Sequence, residues 1–307
     1  MSRHIALEAM GGDSDGMVTL LCPVRGCHRP LARDPRGLRC PRAHAFDLAR
    51  SGYVNLLQPQ DRRSSQPGDR AATVQARGRL VAQRFEAPVT DAITALLELE
   101  PTDAALDVGC GEGHHLATIA ARFACEGHGL DISVAAIEAA ARQRPHLGWV
   151  VANADRFLPY AAGSFRLVAS ITAQRNPEEF RRVLRDDGTF LLVVPAPDDL
   201  IEVRERILGE RVERDRVEKA IAAFAPLFVL ERHERIRHAA RLDPASVRDV
   251  MAGSYRAGRK SRRAALAAVE TLDVTLSRDA LLFRPARRRP AAARLAATPR
   301  RAREEDS

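Results

Sequence analysis

Residues 104–113 read Ala-Ala-Leu-Asp-Val-Gly-Cys-Gly-Glu-Gly, and the fold follows from how that stretch is bounded. The apolar Ala104–Leu106 suits a buried strand, and a helix is expected to start near His114. Between them, Gly109, Gly111 and Gly113 let the backbone turn sharply and let a ligand approach it closely. A strand, then glycines, then a helix N-terminus is a nucleotide-binding arrangement. The spacing is G-x-G-x-G rather than the G-x-G-x-x-G of dinucleotide binding, and no Lys follows, which excludes a phosphate-gripping P-loop.

Outward from the turn, carboxylates and an amide stand where a bound nucleoside would meet them. Asp107 precedes the first Gly, where it can hold an ammonium, and Glu112 lies within the turn itself. Asp131 ends the next strand (GHGLDIS), and one ionised acid there can accept from two ribose hydroxyls. Asn153 and Asp155 end the third strand, where adenine contacts are expected. Together these features predict a site for S-adenosylmethionine. The competing reading is a structural turn in another α/β protein.

The surrounding pattern alternates. Strands are expected at 104–108, 127–131, 148–151, 165–170 and 188–194, with helices at 113–123, 134–144 and 177–185. This implies a doubly wound parallel sheet with helices on both faces. Beyond it a helix near 202–223, a strand near 227–232, a helix near 244–251 and a closing strand near 279–283 are expected. Before it, 71–84 and 87–99 read as helices, and the polar 58–70 (QPQDRRSSQPGDR) as a linker.

Near the N-terminus, Cys22, Cys27, Cys40 and His44 are spaced Cys-x4-Cys-x12-Cys-x3-His. Three thiolates and one imidazole suit tetrahedral Zn²⁺ with no open position, so the role is structural. So small a unit needs the metal to fold. Gly26 and Gly37 are expected at the turns that gather the ligands, and His28, beside Cys27, reads as a free surface histidine before it reads as a substitute ligand. The alternative is a set of unrelated buried cysteines. Cysteine usage of this kind fits a reduced, cytoplasmic protein better than a disulfide framework.

Net charge is +8, of which the segment from Arg284 to Ser307 supplies +5. That tail either steers toward RNA phosphates or merely solubilises. No run of eighteen apolar residues is present, so no membrane span is expected, and no secretory signal is read at the N-terminus. The expected organisation is a disordered 1–16, a zinc unit at 17–57, linker and connecting helices at 58–100, a cofactor domain at 101–283 and a disordered basic tail at 284–307. Met17 opens the first structured segment and is a candidate start.

The Gly-rich segment resembles the class I methyltransferases, which have a Rossmann-like α/β fold. A Cys3His unit followed by Phe46-Asp47, SGYVNLL (51–57), PGD (67–69), QAR (75–77) and DVGCGEG is similar to the bacterial 23S rRNA (guanine-N1) methyltransferases, which include tylosin-resistance enzymes. The resemblance implies N1 methylation of a guanine in a 23S rRNA hairpin, an RNA-recognising zinc unit and a homodimer. It also implies a cofactor-side aromatic residue whose nearest counterparts are Phe85 and Glu86. The chain departs from the family in the four residues between Cys22 and Cys27, in Thr172-Ala173-Gln174-Arg175-Asn176-Pro177, and near Asp199 in PAPDDL, where the family has a His. Asp155 is the first candidate for a catalytic base, with Gln174 and Asp199 behind it, and the competing reading of Asp155 is a plain surface carboxylate. Arg42, Arg50, Arg62, Arg63 and Arg70 are candidate phosphate contacts. Two other functions stay open: a small-molecule methyltransferase braced by zinc, and a non-catalytic RNA-binding protein that keeps a cofactor pocket.

Overall fold

The structure, a computed structural model, describes residues 18–35, 37–62, 67–173, 176–209, 211, 213, 215–254 and 270–287. The expected N-terminal disorder, Met17, Gln174, Arg63 and nearly all of the basic tail lie outside the described residues.

A mixed eight-stranded sheet organises the chain. Its centre is β5 (Ala104–Val108), buried at all five positions because helices cover both faces. Parallel to β5 on one side run β6 (Glu126–Asp131) and β7 (Gly148–Val151); on the other run β8 (Phe165–Ile171) and β9 (Leu184–Pro195). The chain therefore moves outward from β5 to β7, then returns to place β8 against β5. That reversal opens a crevice at the carboxyl ends of β5 and β8, where open α/β sheets hold ligands.

The expected strands and helices from 104 to 195 are present, with β9 beginning earlier than expected. Downstream the structure corrects three expectations. The helix near 202–223 is two helices, α6 (Ile201–Leu208) and α7 (Val217–Phe224), because Gly209 takes φ +69° and caps the first. The strand near 227–232 is fifteen residues long, β10 (Phe228–Leu242), and the closing strand is fourteen, β11 (Leu272–Pro285). β11 pairs antiparallel with β9, and β10 pairs antiparallel with β11, so the sheet is not purely parallel. β10 is the charged edge strand, as edge strands must be to resist pairing with other chains.

The helices α1 (Ala71–Ala82) and α8 (Pro244–Ser254) lie against each other and roof the crevice. The Arg79 guanidinium donates two bonds to Asp249, at 2.8 and 2.6 Å, and Arg77 Nη2 donates to the Gly253 carbonyl at 2.8 Å. The remaining helices are α2 (Ala87–Ala95), α3 (His114–Phe123), α4 (Val134–Gln143) and α5 (Pro177–Val183).

The N-terminal unit carries its own small antiparallel sheet, β1 (Ala32–Asp34), β2 (Gly37–Arg39) and β3 (Ala45–Asp47). Gly37 does not make a turn. It sits in β2, where a Cβ would overlap the Phe46 carbonyl oxygen, so the glycine permits close strand approach. Gly26 does make one, at φ +71°. The last strand of this unit, β4 (Val54–Asn55), pairs in parallel with β7 and forms the other edge of the main sheet. Leu20 bridges to Tyr160, and Leu56 N–H donates to the Val151 carbonyl at 2.9 Å. Leu20, Leu38, Val54 and Leu56 join the same apolar core as β5 and β8. Among the described residues, no helix is long and apolar enough to cross a membrane.

Candidate active site and metal centre

The crevice is a cavity of about 480 Å³ at the carboxyl ends of the strands, within the usual range for a small-molecule site. Gly109, Gly111, Glu112, Asp131, Asn153, Phe85 and Asp199 all line it. Gly111 takes φ +57° and nothing lies within 4 Å of where its Cβ would point, so its backbone faces open space. Gly113 serves otherwise. It does not line the cavity, and a Cβ there would overlap the Trp149 indole.

Asp131 is fixed by two backbone donors: Gly111 N–H reaches Oδ2 at 3.0 Å and Ser133 N–H reaches Oδ1 at 2.8 Å. Each oxygen keeps a further lone pair, enough for two ribose hydroxyls. Asp107 lies behind the cavity lining rather than in it, buried, and neither carboxylate oxygen has a hydrogen-bond partner. Burial pushes its pKa from 3.8 to about 7; His114 pulls the other way, and Asp131 and Glu112 add to the rise. An orphaned buried carboxylate behind an open glycine turn fits a cationic nucleoside such as S-adenosylmethionine.

Other expected residues are placed less simply. Asn153 Nδ2 donates to the Asp61 carbonyl at 2.9 Å, tying the segment after β4 to the crevice. The same amide accepts from Asp155 N–H at 3.0 Å, and that turn leaves Asp155 exposed and outside the cavity lining. Asp199 is buried in the cavity wall, ion-paired with Arg278 and accepting from Ser277 N–H at 3.0 Å. Phe85 is buried at the cavity wall as well.

Sequence reading alone did not assign several lining residues. Asp69 and Arg77, ion-paired to each other, come from the PGD and QAR motifs. Ser133 Oγ donates to the Asp69 carbonyl at 2.6 Å, so the expected linker forms part of the cavity wall. His114, His115 and Arg278 also line it. The signal for the first two was their place directly after the last glycine.

In the N-terminal unit, Cys22, Cys27, Cys40 and His44 offer ligand atoms all within 4.8 Å of one another. Cys27 Sγ lies 3.8 Å from Cys40 Sγ, and His44 Nδ1 lies 3.4 Å from both Cys22 Sγ and Cys40 Sγ. Tetrahedral Zn–S bonds of ~2.3 Å place sulfurs about 3.8 Å apart, so the set fits zinc. Burial pushes the Cys22 thiol up to about 12, so a cation among the sulfurs is what makes that thiolate stable at neutral pH. The wide Cys22–Cys27 loop still closes, through the Cys27 N–H bond to the Val24 carbonyl at 2.9 Å. His28 is not a ligand; its ring packs edge-on against Phe157 with centroids 4.2 Å apart. Arg42 Nη1 donates to the Gly26 carbonyl at 2.8 Å and braces the same loop.

Comparison with known proteins agrees with this anatomy. The zinc-ribbon family described as RlmA, N-terminal, matches residues 20–65, and the methyltransferase domain family matches residues 105–188. The 23S rRNA (guanine(748)-N(1))-methyltransferase of Streptomyces fradiae is 36% identical over 229 residues, covering 73% of this chain and 80% of that protein. A Bacillus subtilis (strain 168) protein named in the same 23S rRNA (guanine-N1) class is 31% identical over 273 residues, covering 85% of this chain and 95% of its own length. A third, from Micromonospora griseorubida, is 37% identical over 213 residues, 63% of this chain and 71% of that one. With an S-adenosylmethionine methyltransferase fold and a Cys3His zinc ribbon, the chain belongs to the 23S rRNA (guanine-N1)-methyltransferase family.

Proposed function

We propose that this chain methylates N1 of a guanine in a hairpin of 23S rRNA. One observation supports this reading most: the zinc ribbon is packed onto the same sheet whose carboxyl edge forms the cofactor cavity. Asn153 holds the Asp61 carbonyl and Leu56 pairs with Val151, so the ribbon and the cavity keep a fixed relation. A hairpin bound by the ribbon can then present a looped-out base to the cavity, which is cheaper than extracting a paired one.

In this reading residues 17–57 recognise RNA, 58–100 connect, and 101–283 bind cofactor and catalyse. Asp107, Gly109, Gly111, Asp131 and Asn153 hold S-adenosylmethionine, with Phe85, Glu112 and Asp199 in the surrounding wall. When bound, that cofactor supplies an electrophilic methyl group. The protein supplies position: Asp131 anchors the ribose side, Asp107 offers a carboxylate to an ammonium, and the cavity wall fixes the approach to the base. Gly113 acts through Trp149 packing. The enzyme works in the cytoplasm as a homodimer, and a methyl on the drug-binding surface of the ribosome would confer tylosin-type resistance.

The full chain, incubated with tritiated S-adenosylmethionine and unmodified 23S rRNA, should label the RNA. Reverse transcriptase should stop one nucleotide before the modified guanine, because N1 methylation blocks its pairing edge. An unlabelled rRNA, or labelling without such a stop, would overturn the assignment.

A further inference from the structure

Three side chains in the cavity wall converge on one point. Glu86 precedes α2, and His114 and His115 open α3. Glu86 Oε2 lies 3.5 Å from His114 Nε2 and 3.6 Å from His115 Nε2. The two imidazole rings lie side by side, centroids 3.7 Å apart, so both Nε2 atoms face the same carboxylate oxygen. None of the three reaches normal hydrogen-bond distance of another, and buried His114 Nε2 has no hydrogen-bond partner. Metal–ligand bonds of ~2.0–2.2 Å at tetrahedral angles place N and O ligands about 3.3–3.5 Å apart, close to the observed spacing.

The atoms behind these three are engaged as they would be in a metal site. His115 Nδ1 lies 2.9 Å from Thr90 Oγ1, whose proton is directed to the Glu86 carbonyl at 3.0 Å. The hydroxyl therefore accepts from Nδ1–H, which leaves the Nε2 lone pair free. His114 Nδ1 lies 3.4 Å from the buried Glu112 carboxylate. The second Glu86 oxygen, Oε1, lies 3.8 Å from the Arg278 guanidinium. Outer partners of this kind fix tautomer and ring orientation in metal centres.

We propose that Glu86, His114 and His115 form a second divalent-cation site, separate from the Cys3His ribbon and open to the cofactor cavity. Two imidazoles and one carboxylate suit Zn²⁺, Co²⁺ or Mn²⁺, and three protein ligands leave a position free on the cavity side. The site does not depend on which substrate is methylated.

Metal-free full chain is titrated with Co²⁺, and bound metal is counted after equilibrium dialysis. The expected total is about two equivalents, only one carrying thiolate charge-transfer absorption. Glu86→Gln and His114→Gln should each remove the equivalent without charge transfer and keep the other. Cys40→Ser should do the reverse. Thermal melts of each variant test whether it is folded, and His115→Gln is the substitute if one is not. A wild-type total of about one equivalent would mean the cluster is a bare polar network. A second equivalent that survives both Glu86→Gln and His114→Gln would place it elsewhere on the surface. Either result overturns the proposal.

Discussion

The Trp149 indole occupies the space in which Gly113 would carry a side chain: a Cβ there would overlap Cη2 and Cζ3 of the ring. Gly113 also takes φ +78°, as the residue before α3. Two glycines of one turn are thus kept for opposite reasons, Gly113 for what fills the space beside it and Gly111 for what must be able to enter. Gly113→Ala should destabilise the cofactor-free fold by about 2–4 kcal/mol, from overpacking and left-handed strain together. Gly111→Ala should cost only about 1–2 kcal/mol of strain yet weaken cofactor binding more. Denaturant melts and calorimetry on both variants check this; equal melts would refute the division of roles.

Asp131→Ala should weaken S-adenosylmethionine binding by about 1–3 kcal/mol, the range for a hydrogen bond to a charged group. The variant also frees Gly111 N–H and Ser133 N–H, so Asp131→Asn, which keeps one acceptor, should recover part of the loss. Wild-type affinity in Asp131→Ala by calorimetry would exclude Asp131 from the site.

Asp107 makes stability depend on pH in an unusual direction. Its folded pKa, about 7, lies above its ordinary 3.8. Between these values the unfolded chain has released a proton that the folded chain keeps. Stability from this group is therefore full below pH 3.8, falls across the window, and is lost above about 7. Without cofactor, Asp107→Asn should be more stable than wild type at about pH 8 and nearly equal to it at about pH 4. A cationic cofactor favours the ionised acid, so wild-type affinity should rise from about pH 6 to about pH 8 and Asp107→Asn should flatten the rise. Parallel pH profiles for the two proteins would sink the argument.

Removing zinc should affect more than the ribbon. β4 and Leu56 leave the ribbon to cover β7, so chelation should lower the melting temperature of the whole chain and expose apolar edge. The loss should reach several kcal/mol, since structural zinc supplies folding free energy. Calorimetry with and without chelator gives the answer; an unchanged main transition would show that the ribbon is energetically separate. For the same reason a truncation beginning at Ala71 would not isolate RNA recognition, because it deletes β4, Gly68 and Asp69 as well.

The central strands were legible because burial on both faces forces apolar runs. Ala104–Val108 ends in an acid and a glycine turn that only a ligand-binding crossover requires. The four zinc ligands were legible because thiol chemistry is local. Only the start of β10 was: beyond 232 its residues alternate charge with charge, His233 and Arg235 pairing with Asp279 on β11, so no apolar face announced the rest of the strand. Asp155 was misleading because position after a strand does not tell which way a side chain turns, and Asn153 took the inward place. The Glu86–His114–His115 cluster was hidden for another reason. Its members come from two segments that meet only when α2 packs on α3.

The pairing of β4 with β7 also sets an order of events. Val54 meets Val150 across about a hundred positions of chain, whereas the ribbon closes within residues 22–44. Long-range pairing carries a loop-closure cost that local contacts escape, so the metal-bound ribbon can be complete while most of the chain is still unmade. Its last strand then waits for Gly148–Val151 before it can dock. The chain has a single tryptophan, and it stands in Gly148–Val151, the strand on which that docking waits. Trp149 also packs on Gly113 and Gly129, so its fluorescence during refolding should follow the assembly of the core around that strand: metal added beforehand should leave its rate unchanged or faster, never create it.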